Sequence, residues 1–407
     1  MSATAVLTGT AAVAGVVAQA AQAAPAAITE SGSTLIQPLA SEWATNFNIL
    51  TGNSVTVAGG GSGAGITNVS TGVTDIGGSD APLGFPGVKQ LTAIAGADTA
   101  INDYAEIPWA LTSTDLIYNI PGVGQGLELT GKQLAEIYSG RVTNWSALGT
   151  AKRLITYKNG KILVRRKRVK VHGKVKKVAV YKIGLVPVTR SVRLPNATIV
   201  AVSRSDGSGD SFAFTNFLTK VDARDWSYGP STSFPTGISG EDGKSGNSGV
   251  ATEVESKAYS IGYVSNYYAL SQLAQFPSLG VVAVGNAAGN YEFPNDENIA
   301  SAAASATSYP KQNGASGRSC SADDTSPAGA CFGLAIQDPA KRYSTAYPIS
   351  TYTYAIVDTA KDANIPTVKS FLNYAVSTNG QTVGNAIGFV PLGPALQAYD
   401  ASVIKSL

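Results

Sequence analysis

The chain has 407 residues, 44% of them hydrophobic and only 14% charged, with a formal net charge of +3. That length points to two or more domains with ample material for a buried core, and the hydrophobic share excludes a disordered chain. With 44 glycines amid abundant Ser, Thr and Ala, the composition is that of an exported, weakly charged globular protein rich in turns and close backbone approaches.

The first 27 residues carry no charged side chain and end in small residues, AQA or APAA, like the apolar core of a signal peptide. The usual basic n-region is missing, which leaves room for a start further upstream, and the segment is too Ala-rich for a membrane span. A helix is predicted over Leu35 to Leu50. The strand SVTVAGGG (54–61) then enters a glycine loop, and further helices are predicted over Gly131 to Tyr138, Ser211 to Thr219 and Val368 to Ser377. IVAVSRS (199–205) and YTYAIVD (352–358) read as strands. Strand, polar glycine loop, helix is an α/β rhythm.

Residues 151–186 stand apart, with 13 Lys and Arg and no acid; taking those 13 from the net +3 leaves about −10 for the rest. NG at 159–160 and HG at 172–173 are turn signals. The segment reads as a β-hairpin insertion with one strongly cationic face. It serves either as a solvated arm that blunts an edge or as a patch for an anionic surface such as cell-wall polymer, lipid headgroups or nucleic acid. Cys320 and Cys331 read as a loop-closing disulfide in an oxidising compartment.

Three segments share one design: SGSTLIQPLASEW (31–43), GGGSGAGITNV (59–69) and SDGSGDSFAFTNFL (205–218). Each sets glycines and hydroxyls at the start of a helix, where free N–H groups and the positive dipole end favour an anion. Arg204, beside the third, offers a planar fork for an oxyanion. DIGGSDAPL (75–83) places Asp80 in a turn of small residues. A carboxylate only accepts hydrogen bonds, so it suits a protonated oxyanion such as phosphate and repels fully ionised sulfate. Enzyme motifs fit poorly. GISGEDGKSG (237–246) approaches a P-loop, but its first glycine is out of register, with Ile238 in the way. No G-x-S-x-G elbow is present, and His172 reads as a turn residue. One histidine and two thiols make no zinc site.

Taken together, STLIQPLASEW, GGGSGAG, DIGGSDAPL, SRSDGSGDSFAFTNFL, AYSIGYV (258–264) and YPISTYTYAIV (347–357) resemble, in order, the PstS family of phosphate-binding proteins that serve ABC phosphate importers. The resemblance implies an α/β, two-lobed periplasmic-binding-protein (type II) fold, one lobe taking about 28–108 plus 349–407 and the other 109–348, with the basic hairpin inserted in the second. It implies a monomeric extracytoplasmic protein, periplasmic or extracellular, that captures inorganic phosphate in the cleft without a cofactor and delivers it to the permease. By the same resemblance, Thr34, Leu35, Ser62, Arg204, Ser208 and Gly209 bind phosphate, Asp80 accepts its proton, and Asp206 steadies Arg204. Asp210 stands where the family usually has threonine. It either caps the following helix, leaving Ser211 to supply the hydroxyl, or faces the ligand beside Asp80. The competing readings are a secreted phosphatase-like protein, disfavoured by the lack of a metal cluster or nucleophile–base pair, and a surface-binding protein that uses the hairpin.

Overall fold

The computed structural model describes residues 26–83, 85, 87–88, 91–97, 103–171, 174–306, 311–313, 317–319, 336–360 and 363–407. The signal segment up to residue 25, the Cys320–Cys331 pair and His172 lie outside the described residues. Ala27, read as the end of the signal segment, opens the first strand.

The chain begins with β1 (Ala27–Gly32), α1 (Gln37–Thr51), β2 (Ser54–Ala58), α2 (Ser62–Ser70) and β3 (Ile76–Ser79). α1 begins two residues after its predicted start, with Pro38 in the first turn, where its missing N–H is no loss. Next come β4 (Tyr104–Asn119), β5 (Glu128–Leu129) and α3 (Gly131–Tyr138). α3 has its predicted bounds, held at its start by a capping box between Thr130 and Gln133. After the ribbon strands β6 (Thr150–Val171) and β7 (Lys174–Arg193) come β8 (Val200–Arg204), α4 (Gly209–Asp222), β9 (Glu241–Lys244), α5 (Gly246–Ser256), β10 (Ser260–Ser265) and α6 (Asn266–Gln275). Short elements follow: β11 (Gly280–Val281), β12 (Ala283–Gly285), β13 (Tyr291–Glu292), α7 (Asp296–Ala303), β14 (Lys311–Asn313) and β15 (Gly317–Ser319). β16 (Ser350–Asp358), α8 (Ile365–Val376), α9 (Thr378–Gly384) and α10 (Pro394–Ser406) complete the chain.

The main sheet runs β2-β1-β3-β16-β4-β10-β8-β9. Its middle strand, β4, spans both halves: Tyr104 to Ser113 pair with β16, and Thr114 to Asn119 pair with β10. Two large apolar cores divide the same way. One holds Trp43, Phe47, Trp109 and Phe371, the other Tyr138, Trp145, Phe217 and Trp226. This is the two-lobed α/β fold that the resemblance implies. A third cluster bridges the lobes, with Phe212 of α4 packing among Ile66, Val69, Ala81 and Leu83.

β6 and β7 form a separate two-stranded ladder running from Thr150↔Arg193 to Val171↔Lys174. At roughly 3.3 Å per residue it is on the order of 65 Å long. Its base is pinned where Leu154, buried in the second core, donates its N–H to the Gly126 carbonyl at 2.7 Å. Two expectations change. Asn159 and Gly160 pair with Leu185 and Gly184 inside the ladder, so they make no turn. Long-range strand pairing overrides the local turn signal, and the strands continue beyond 186 to Arg193.

Candidate functional site

The first lobe contributes two glycine turns and a carboxylate. β1 ends at Gly32, whose φ of +144° and a Cβ position only 2.1 Å from the Gly78 carbonyl oxygen require glycine. This close approach lays the β1–α1 turn on the end of β3. Ser33 N–H donates to the Gly78 carbonyl at 2.9 Å, and its hydroxyl donates to Asp80 Oδ2 at 2.5 Å. Ser62, first residue of α2, donates to the same oxygen at 3.2 Å and accepts the Asp80 N–H at 3.1 Å. Asp80 is buried, and its Oδ1 has no hydrogen-bond partner among the described residues. Burial, and then the negative Asp210, push its carboxyl up to about 7.

The second lobe contributes the cation. Arg204 closes β8, is 2% exposed, and donates its backbone N–H to the Tyr263 hydroxyl at 3.0 Å. Its Nε and Nη2 donate to the two oxygens of Asp206 at 2.7 and 2.5 Å, and Nη1 donates to Asp210 Oδ2 at 3.1 Å. With one bond from each nitrogen, two N–H groups of the fork stay free for an oxyanion. Burial works against the charge on Asp206, but Arg204 holds its carboxyl below the ordinary range. Asp210 is fully buried. Thr114 donates to its Oδ1 at 2.8 Å, and Asn247 Nδ2 donates to Oδ2 at 2.7 Å. Burial nonetheless keeps Asp210 above its usual value, against the pull of Arg204.

The lobes touch at this point. Gly63 N–H donates to the Gly207 carbonyl at 2.9 Å, and Thr34 Oγ1 accepts from Asn247 Nδ2 at 3.0 Å. A Cβ on Gly209 would lie 2.4 Å from Asp80 Oδ2 and 2.6 Å from Ser62 Oγ. Backbone N–H groups, hydroxyls, one cation and a carboxylate with an open acceptor thus surround one spot between two halves of the sheet. Among the described residues, no group of three or more His, Cys, Asp and Glu is arranged to hold a metal.

A family profile described as "PBP superfamily domain" matches residues 18–379. The chain belongs to the PBP superfamily. Among its relatives, the phosphate-binding protein PstS of Xylella fastidiosa (strain 9a5c) is 29% identical over 389 residues, covering 93% of this chain and 86% of that protein. PstS of Haemophilus influenzae is 27% identical, covering 93% and 91%. A solved phosphate-binding protein from Stenotrophomonas maltophilia superposes with a TM-score of 0.60 at 20% identity, over 92% of this chain and 93% of that one. At that identity the likeness speaks for the fold.

Within this PBP-superfamily chain, Thr34, Ser62, Asp80, Arg204, Asp206, Gly209 and Asp210 come together as described, and Ser208 joins them at the start of α4. Leu35 N–H, predicted to face the ligand, donates to Ser33 Oγ at 3.0 Å. Asp210 does not cap α4. Ser208 does, accepting from Ser211 N–H at 3.2 Å, because it holds the N-cap position while Asp210, within the first turn, has its carboxylate bonded to Arg204, Thr114 and Asn247. The Ser211 hydroxyl lies 2.7 Å from the Tyr263 hydroxyl, and either of the two can donate to the other. Sequence reasoning missed Ser33, Thr114 and Asn247. Ser33 lay inside a recognised glycine turn and Asn247 just after the P-loop-like segment; Thr114, within a uniformly buried strand, carried no signal.

Proposed function

We propose that this chain is an extracytoplasmic solute-binding protein that captures inorganic phosphate between its lobes and hands it to an ABC importer. The observation that carries this reading is Asp80, a buried carboxylate whose Oδ1 has no hydrogen-bond partner among the described residues, with the Ser33 and Ser62 hydroxyls on its other oxygen and Asp210, the partner of the buried Arg204, close by. An anion that brings its own proton fills that open acceptor, and sulfate, which has none at neutral pH, does not. The names of the PstS relatives support the same ligand.

In this reading the Thr34 hydroxyl and the backbone N–H of Ser62, at the start of α2, hold phosphate from the lobe made of about 28–108 plus 349–407, the Leu35 N–H being taken by Ser33 Oγ. Arg204, Ser208 and Gly209 hold it from the lobe made of 109–348. Asp210 borders the anion while committed to Arg204, Asn247 and Thr114, so the cage favours phosphate carrying more protons. Capture involves no bond making: the site replaces the hydration shell with fixed donors, and hinge closure buries the ligand. The importer's permease is the protein partner, export is the setting, and the ribbon offers its cations to an anionic surface polymer.

Calorimetric titration with phosphate and sulfate tests the reading on the parent and on Asp80→Asn. The parent is expected to bind phosphate and ignore sulfate. The variant is expected to keep its fold and accept sulfate, because Asn donates as well as accepts. A parent that binds no phosphate would overturn the assignment.

A further inference from the structure

A third buried carboxyl lies behind the anion site, and the phosphate reading makes no use of it. Glu30, on β1, is 2% exposed, and neither of its carboxyl oxygens has a hydrogen-bond partner among the described residues. Its register neighbours are apolar, Val57 on β2 and Ile76 on β3. The carboxyl rests on the bare backbone of Gly78. A Cβ there would sit 2.4 Å from Glu30 Oε1, 3.4 Å from Ile36 Cγ2 and 3.4 Å from the Ser33 nitrogen. Glu30 therefore abuts the two segments that build the Asp80 site, the turn carrying Ser33 and the end of β3 two residues before Asp80.

The charges around it come from one side. The first turn of α1 has no acidic residue, and no cation forms an ion pair with Glu30 among the described residues. Asp80 acts on it directly, and Asp210 acts on Asp80 in turn. A buried carboxyl without donor or cation keeps its proton. Burial, and then Asp80, push Glu30 up to about 8.

We propose that Glu30 is a positioning residue for anion capture: an uncharged carboxyl beneath the Ser33–Asp80 contact, whose ionisation adds a second negative charge behind Asp80 and sets the alkaline limit of phosphate binding. The inference rests on the phosphate reading above. A carboxyl whose folded value is raised above 4.5 to about 8 favours the folded state fully below its unfolded value, and that contribution is lost as pH rises through the folded value.

The test compares the parent with Glu30→Gln, which keeps the shape and removes the ionisation, and with Glu30→Ala as a second variant. Phosphate affinity is measured by calorimetry from about pH 6 to about pH 9, and thermal unfolding is followed without phosphate from about pH 5 to about pH 9. Near pH 6 the parent and Glu30→Gln should agree within about twofold, and near pH 9 the variant should bind about tenfold more tightly. The titration of phosphate is common to both proteins, so the change in their ratio reports Glu30 together with its coupling to Asp80. Glu30→Ala should show the same relative gain on moving to alkaline pH. Without phosphate, the parent should lose thermal stability between about pH 5 and about pH 8 more steeply than either variant. An affinity ratio that stays constant with pH overturns the positioning role, and parallel unfolding profiles overturn the uncharged carboxyl. A parent that binds no phosphate at any pH would instead sink the phosphate reading and this role with it, whatever the unfolding curves show.

Discussion

In the proposed reading Arg204 anchors the ligand, and it also holds two carboxylates. It is the only cation paired with Asp206 and Asp210 among the described residues, and it lies in the interior with Asp210, while Asp206 is half-buried. Breaking a buried pair by removing one partner costs about 3–5 kcal/mol, because the remaining charge is left uncompensated. Arg204→Ala should therefore lose phosphate binding and also unfold at distinctly lower urea, the second effect visible without any ligand. Binding within about threefold of the parent, equivalent to under about 1 kcal/mol, would remove Arg204 as the anchor. Its role depends on orientation: Asp206, itself fixed by the Gly246 N–H at 3.0 Å, aims the guanidinium.

At the scale of elements, the glycine turns and the ribbon illustrate opposite uses of local sequence. Gly32 is required where its turn meets the backbone of Gly78, and Gly209 where the start of α4 meets the side chains of Asp80 and Ser62. Among the described residues, the ribbon meets the second core near its base, through Ala151 and Leu154 on β6 and Val192 on β7. Replacing residues 157–187 by a short turn between Thr156 and Val188, a ladder pair, should leave the fold and phosphate affinity unchanged within about twofold, since surface insertions seldom support the scaffold that carries them. Adsorption of the parent to an anionic polymer at low salt should disappear in the deletion, because screening and removal of the cations act on the same interaction. Loss of phosphate binding in a folded deletion would place the ribbon in the capture machinery instead.

For the whole molecule, capture depends on the lobes meeting. Asn247 links them: its backbone N–H and Nδ2 donate to Thr34 Oγ1 at 3.3 and 3.0 Å, its Nδ2 also reaches Asp210, and its Oδ1 accepts the Ser265 N–H at 2.7 Å. Asn247→Ala should weaken phosphate binding about tenfold, chiefly through faster release, as most losses within one interface appear in the dissociation rate. Stopped-flow release measurements check this, and an unchanged release rate would rule out the Asn247 link as a latch. Thr114 sits where β4 passes from pairing with β16 to pairing with β10, and its hydroxyl holds Asp210. The strand that joins the lobes thus touches the site directly.

Local chemistry was legible without coordinates. Alternating strands and helices, the bounds of α3 and the glycine turns follow from short-range rules of backbone geometry and capping, and the pairing of Arg204 with Asp206 two residues away was implied by the family resemblance. Contacts between distant segments were not. Thr114 meets Asp210 across 96 residues and Asn247 meets Thr34 across 213, so no window of sequence contains either pair. The burial of Glu30 and the inward turn of Asp210 were hidden for a related reason: a carboxylate in a strand or at a helix start ordinarily faces water, and only the packing of β1, β3 and α4 against their neighbours takes these two out of it. Asn159–Gly160 shows the same precedence in reverse, a turn dipeptide held straight by ladder bonds on both sides. The sequence by itself determined which segments present anion-binding groups. Tertiary structure alone decided which of those groups face one another and which carboxyls keep their protons, because both depend on burial and on distances between segments far apart in the chain.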